Sequence, residues 1–396
     1  MRIAFATISD LRDVRRGSGT FYHLAEEIEQ QGHKVFRLGP FDLDAPLFSR
    51  VVNGLHRRLR KRHPLFLDPC AGARTCLQVA RRLHGIDYDL FLTNDMAFGA
   101  FTPTTRPVVI YTDVMIKPDY SEAHLPGCRL GNMSPLSLWL SRYTIRAALN
   151  RADLCVFPTE WSAQAARSYC GQADKIKVIP FGANVADPGR EIANERTWGK
   201  LRAKGWFDLL FVGKDWVRKG GGIAVEAVGR LNASGLNARL HVVGAQVPGA
   251  VPPEQVLQHG LLDKSKPEDQ GSLKRLFTEA DAFILPSSSE GYVISVLEAA
   301  AFGLPTLAYD ADGVRNAVVA GRTGLLFPLG SPAEVFAAAV RSWQSQPSAY
   351  EALARGAREH YETSANWPNT VRQLMPLIEA VSQPSGGWTM GSAQCH

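Results

Sequence analysis

No stretch of the chain approaches twenty consecutive apolar residues, so no transmembrane helix is expected. Its six cysteines (Cys70, Cys76, Cys128, Cys155, Cys170 and Cys395) contain no C-x-x-C pair and form no bridging framework. They read as reduced cytosolic thiols, not as disulfides or a metal site. Charge is nearly balanced, with 44 Lys and Arg against 38 Asp and Glu and a net charge of +6. That excess is compatible with nucleic acid, but aromatic and basic residues do not interleave and no nucleic-acid motif is present, so no such partner is expected. Repeats at a solenoid period are absent too. The opening MRIAFATIS turns polar too soon for a signal peptide and reads as a first buried strand.

What is present is ordinary globular material, 45% hydrophobic and 21% charged over 396 residues, a length that predicts two domains. Short apolar runs alternate with helical segments, the pattern of a doubly wound α/β sheet. In the first half the predicted strands are 3–8, 34–38, 90–93, 108–112, 154–157 and 177–179. In the second half they are 209–213, 239–244, 282–285 and 306–309. Residues 187–204 are polar and poor in strand formers, and read as the linker. The small, polar tail 382–396 is expected to be disordered.

The most informative stretch is PSSSEGYVISVLEAAAFGLP, from Pro286 to Pro305, which reads as strand, tight turn and helix. A helix start carries roughly half a positive charge and free amide donors, so an anion belongs beside Gly291, Tyr292 and Val293, most plausibly a phosphate. Glu290 and Glu298 would repel that anion, so their expected task is to accept hydrogen bonds from hydroxyls on either side of it. Hydroxyls, diphosphate, hydroxyls is the outline of a nucleotide-activated sugar. Upstream, FVGKDWVRKGG puts Lys214, Arg218 and Lys219 on a loop just after a strand, where cations can neutralise a leaving diphosphate or simply form a solvated basic turn.

These residues resemble the retaining GT-B glycosyltransferases, the clan that includes glycogen and sucrose synthases and lipid mannosyltransferases. The matching elements are Val212-Gly213-Lys214, Lys219-Gly220, Glu290-Gly291 and Glu298. Gly303-Leu304-Pro305, Gly324 to Pro328, Ile179 to Gly182, Gly32-His33 and Trp367 match as well, so the resemblance spans nearly the whole chain. It implies two Rossmann-like doubly wound domains facing across a cleft. Residues 1–187 would form the acceptor side, 205–362 the nucleotide-sugar side, and a helix at about 366–381 would cross back. It further implies that Glu290 contacts the donor sugar, Glu298 the ribose, and Lys214 and Lys219 the diphosphate, completed by the amides of residues 291–293. In the first half, Gly17 and Gly19 in RRGSGT would let backbone approach the diphosphate from the far side. This loop is not a dinucleotide fingerprint, because Tyr22 stands where a third glycine belongs.

Two departures from the family pattern stand out. Lys214 replaces the usual Arg and loses its planar fork, leaving Arg218 to share the task. No His follows the fourth strand; Asp113 is there instead, either bonding the sugar or acceptor or capping a turn. The Asp-x-Asp pairs Asp42/Asp44, Asp87/Asp89 and Asp310/Asp312 lack the context of a metal–diphosphate site, and neither metal nor cofactor is expected. The resemblance implies transfer from a UDP-, GDP- or ADP-linked sugar to a glycan, lipid-linked or small-molecule hydroxyl, with retention at the anomeric carbon. Alternatives are a nucleotide-sugar epimerase of the same architecture and a non-catalytic nucleotide-sugar-binding protein. Glu290→Ala and Lys219→Ala are expected to abolish most transfer with the fold intact. Finally, residues 49–63 hold six Lys and Arg and no acid, with Val51, Val52, Leu55 and Leu59 on one helical face. Such a helix suits a peripheral anionic-membrane contact on a cytoplasmic protein or a phosphorylated acceptor; otherwise it packs its apolar stripe on the sheet.

Overall fold

Strands whose residues are all buried need cover on both faces, and the chain supplies two sheets of this kind. The computed structural model describes residues 1–116 and 132–383. The first sheet comprises β1 (Arg2–Ala6), β2 (Lys34–Leu38), β3 (Leu90–Thr93), β4 (Val108–Tyr111), β5 (Leu154–Phe157) and β6 (Ile176–Val178). The second comprises β7 (Phe207–Val212), β8 (Ala238–Val243), β9 (Val256–Gln258), β10 (Ala282–Leu285), β11 (Thr306–Tyr309) and β12 (Gly324–Phe327). Every residue of β3, β4, β5, β10 and β11 is buried, as parallel strands between two helical layers must be.

Strand order is β2-β1-β3-β4-β5-β6 in the first sheet and β12-β11-β10-β7-β8-β9 in the second, all pairs parallel. Each is doubly wound, and the winding reverses between β1 and β3 and again between β7 and β10. Loops leaving the carboxyl ends of strands splay apart at such a reversal and open a crevice for ligands. The expected α/β architecture is therefore present. Predicted strand limits agree to within two residues, and β9 and β12 are additions to the predicted strands.

The polar stretch 187–204 is not a solvated tether. Arg196, 6% exposed, donates from Nε to the Phe302 carbonyl at 2.7 Å and from Nη2 to that of Phe277 at 2.8 Å, and also bonds the Ala280 carbonyl. Trp198 is buried against Phe207 and Tyr350. Arg196→Met leaves these carbonyls without donors, and should lower unfolding free energy by about 3 kcal/mol in a urea titration.

The two sheets are joined around Phe181. Its ring meets Tyr111 at 4.8 Å, Tyr292 at 5.6 Å and Trp367 at 6.1 Å, drawing on both halves of the chain. Trp367 opens the helix Trp367–Ser382, and its Nε1 donates to Asn184 Oδ1 at 2.9 Å. Asn184 in turn donates to the Ser18 carbonyl at 2.9 Å, so the last helix is tied to the first glycine-rich loop.

The basic segment corrects an expectation. Its helix, Leu47–Arg58, does not pack its apolar stripe on the sheet: Val51, Leu55 and Leu59 are exposed, and of the four named residues only Val52 is buried. Cys70, Cys76, Cys155 and Cys170 carry free thiols, and burial pushes those of Cys76 and Cys155 up to about 12. Cys128, Cys395 and residues 384–396 of the expected tail lie outside the described residues. Among the described residues no helix is long and apolar enough to cross a membrane.

Candidate active site

At the β7/β10 reversal, β7 ends at Val212 and the chain turns through Gly213–Gly220 into the helix Gly221–Ala233. Two glycines make that turn workable. A Cβ on Gly213 would lie 2.1 Å from Lys219 Cδ, so only a bare backbone lets the lysine fold back along its own loop. Gly220, at φ 75°, presses against Pro286, whose carbonyl oxygen would be 2.0 Å from an added Cβ. The loops after β7 and β10 are thereby locked together.

Lys219 then reaches Glu290, with Nζ 2.8 Å from Oε1. Arg218 approaches the same oxygen at 2.7 Å, and Ser287 Oγ donates to it at 2.9 Å. Burial alone would push the Glu290 carboxyl up, but Lys219 and Arg218 outweigh it and hold the group below its usual range. Glu298, one turn along the helix Ile294–Ala301, is 2% exposed and paired with Lys264. Here burial wins and the carboxyl titrates above its usual value, although Lys264 and Lys219 pull it down. Lys219 thus acts on both glutamates.

Between them opens the amino end of the helix Ile294–Ala301, which has no side-chain cap and no acid in its first turn. Its partial positive charge and amides face the crevice. Ser289 Oγ donates to Asp312 Oδ2 at 2.8 Å, and the Gly313 amide to the Glu290 carbonyl at 3.0 Å, fastening the glutamate turn to the loop after β11.

The first sheet supplies the facing wall. A Cβ on Gly291 would sit 3.1 Å from the Asp113 carbonyl oxygen and 3.3 Å from its Oδ2, so Asp113 stands directly over the turn. Gly17 and Gly19, at φ 54° and 88°, shape the loop into the helix Thr20–Gln30. The neighbouring Arg15 and His23 lie close enough to Asp263 and Lys264 for each pair to interact electrostatically across the crevice.

The structure therefore gathers Glu290, Lys219, Arg218, Gly291, Tyr292, Val293 and Glu298 at one crevice, with Asp113 opposite. Some placements refine the expected roles. Lys214 is exposed at the rim. Arg218 is engaged by Asp215, the Ser289 carbonyl and Glu290, which makes it a brace for the turn. The Tyr292 ring turns away into Phe181, leaving its backbone to the crevice.

Two residues escaped the sequence reading. Lys264 follows the short β9 in a polar turn, LLDKSK, whose look is that of any surface loop. His23 is a half-buried imidazole in the first helical turn; desolvation, then Lys264, lowers its pKa to about 4. A depressed base favours folding when neutral, so its stabilisation is present above 6.5 and is lost as pH falls towards 4. His23→Leu should remove that part of the acid sensitivity, read as a flatter unfolding midpoint across this window. Among the described residues, no group of three or more His, Cys, Asp or Glu side chains could hold a metal ion.

Each half of the chain also matches a known family. Residues 196–360 match the family model for glycosyl transferases group 1, and residues 18–187 that for glycosyltransferase family 4. A glycogen synthase from Mycobacterium tuberculosis is 32% identical over 165 residues, 40% of this chain and 39% of the relative. A D-inositol 3-phosphate glycosyltransferase from Geodermatophilus obscurus is 31% identical over 229 residues, 54% of this chain and 49% of its own. The chain thus spans about half the length of the curated relatives it matches. Among solved structures, sucrose-phosphate synthase from Thermosynechococcus elongatus superposes with a TM-score of 0.70 at 17% identity, covering 96% of this chain and 98% of that one. Anabaena HepE, solved in complex with UDP-glucose, gives a TM-score of 0.62 at 16% identity over 96% of this chain and 100% of its own. These two likenesses speak for the fold. The first half therefore belongs to glycosyltransferase family 4 and the second to the glycosyl transferases group 1 family, and the chain shares its two-sheet fold with both solved structures.

Proposed function

We propose that the protein transfers a sugar from a nucleoside-diphosphate donor to a hydroxyl acceptor, with retention at the anomeric carbon and without a metal or other cofactor. The observation that carries this reading is the uncapped helix end at Ile294, set beside Lys219 and flanked by Glu290 and Glu298. The diphosphate would lie on the amides of Gly291, Tyr292 and Val293, neutralised by Lys219 and, at the rim, by Lys214. Glu290 would accept from donor sugar hydroxyls and Glu298 from the ribose, once Lys264 swings off it. Asp113 would meet the sugar or acceptor from the other wall, and the Gly17–Gly19 loop would close over the phosphates. Support for this donor class comes from HepE, solved with UDP-glucose. We assign residues 1–187 with the crossing helix to the acceptor side, residues 205–362 to the donor side, and the protein to the cytoplasm.

In the step itself, the bond from the anomeric carbon to the leaving phosphate oxygen breaks and a bond from the acceptor oxygen forms on the same face. The acceptor proton passes to the departing diphosphate. Negative charge builds on that oxygen, where Lys219 and the amides are already oriented, so they hold the transition state more tightly than the ground state. The buried Glu290 is ion-paired by two cations, which suits it to hold hydroxyls and not to attack carbon.

Product analysis with labelled UDP-, GDP- and ADP-glucose and a panel of glycan and lipid acceptors tests this. The proposal expects a glycoside of the donor's own anomeric configuration, formed equally in EDTA. An inverted glycoside, an epimerised donor or no turnover with any donor overturns it.

A further inference from the structure

The helix Leu47–Arg58 is turned inside out. Its polar side faces inward: Ser49 is 0% and His56 6% exposed, and both are hydrogen-bonded. Ser49 Oγ donates to Asp68 Oδ1 at 2.9 Å, and His56 pairs with Ser134. His63, just beyond the helix, bridges Asp68 Oδ2 and Ser137 Oγ, each at 2.9 Å. Facing outward are Leu47, Phe48, Val51, Leu55 and, on the following turn, Leu59, between 55% and 76% exposed. At 100° per residue these five fall within an arc of about 120°. Buried polar groups with fixed partners set the helix's rotation, so the apolar arc faces solvent by construction.

A second apolar group lies beside it. Leu136, Trp139 and Tyr143 recur at helical spacing on the helix Pro135–Arg151, which those same bonds to Ser134 and Ser137 dock against the first; the rings of Trp139 and Tyr143 stack at 6.3 Å. Together the two helices hold eight of the fourteen large apolar side chains exposed among the described residues, a concentration that marks a surface made to be covered. The segment 50–62 carries six Lys and Arg and no acid in its sequence, a charge that calls for an anionic partner. An exposed apolar arc in a basic segment, with exposed tryptophan and tyrosine on the docked helix, matches the layered chemistry of a lipid surface: acyl chains below, phosphates above.

We propose that this face docks the protein peripherally on an anionic bilayer. The apolar arc enters the acyl boundary while the flanking arginines and lysine meet lipid phosphates. The segment leaves the carboxyl end of β2, the same edge of the first sheet that carries the Gly17–Gly19 loop and Asp113. A docked molecule therefore holds its crevice near the bilayer, and an acceptor hydroxyl on a lipid headgroup is the substrate this geometry favours. That last point rests on the function proposed above; the docking does not.

The test is co-sedimentation of the full chain with vesicles of phosphatidylcholine and phosphatidylglycerol (7:3), with pure phosphatidylcholine vesicles, and of the double variant Phe48→Asp/Leu55→Asp. Both substituted side chains are exposed, so the fold should persist, checked by an unchanged unfolding midpoint. The expected result is binding to the anionic vesicles that weakens at least tenfold in the variant and falls steeply with salt. Nucleoside-diphosphate binding in the same variant should be unaltered, which separates loss of docking from loss of the donor site. No sedimentation with anionic vesicles, or equal sedimentation of the variant, overturns the proposal. So does a wild-type dimer in analytical ultracentrifugation that the double variant dissolves, since a second copy would then be what covers the face.

Discussion

Replacing Lys219 with Met should lower kcat/KM for sugar transfer by about 100- to 1,000-fold, the usual cost of removing one preorganised charge from a developing oxyanion. Lys219 is only 14% exposed at its side chain and lies between the two glutamates, so its charge acts in a poorly screened space. The substitution keeps most of the side chain's length and apolar stem, which Gly213 makes room for. Glu290 retains Arg218 at 2.7 Å, so the fold should survive, with a loss of about 1–3 kcal/mol measured by urea denaturation. Near-normal turnover in this variant would remove Lys219 from the reaction.

Glu290 is the second large effect, and here the structure changes which substitution is informative. The sequence alone predicts that Glu290→Ala silences the enzyme and leaves the fold intact. Yet Glu290 is the shared counter-ion of Lys219 and Arg218, all three largely buried, and truncating it strands Lys219 and leaves Arg218 to Asp215, at a cost of about 3–5 kcal/mol. Loss of activity in Glu290→Ala would therefore mix catalysis with unfolding. Glu290→Gln preserves shape and the hydrogen bond from Ser287 while removing the charge. It should fold, bind nucleoside diphosphate within a few-fold of wild type, and turn over about 100-fold more slowly, because on the proposed function the lost contact would be to the donor sugar and would strengthen as that sugar becomes cationic. Equal losses in diphosphate affinity and turnover would place Glu290 at the phosphates instead.

Much of this site was legible because its parts are local. The strand Ala282–Leu285, the turn at Glu290-Gly291 and the helix behind it lie within twenty residues, and their periodicity and punctuation announce them. Lys219 was legible because a cation just after a strand has a known place at a sheet's carboxyl edge. What the sequence hid was long-range. Lys264 sits 34 residues before the glutamate it neutralises, after a three-residue strand too short to show alternation. Arg196 reads as one charge in a polar linker, and only the fold shows it donating to three carbonyls, two at the end of the helix Pro267–Glu279 and one at Phe302. The basic helix is the clearest case. Its periodicity reveals an apolar stripe, but not which way the stripe faces. That depends on partners for His56 and Ser49 that lie 78 and 19 residues away.

The central claim is that a diphosphate sits at the amino end of the helix Ile294–Ala301, against Lys219. A crystal structure of the protein grown with UDP, GDP or ADP tests it most directly. The account predicts density for two phosphates within hydrogen-bonding reach of the Gly291–Val293 amides and Lys219 Nζ, with the ribose on Glu298 and Lys264 displaced. A nucleotide bound elsewhere, with Lys264 still on Glu298 and the helix end empty, would contradict it.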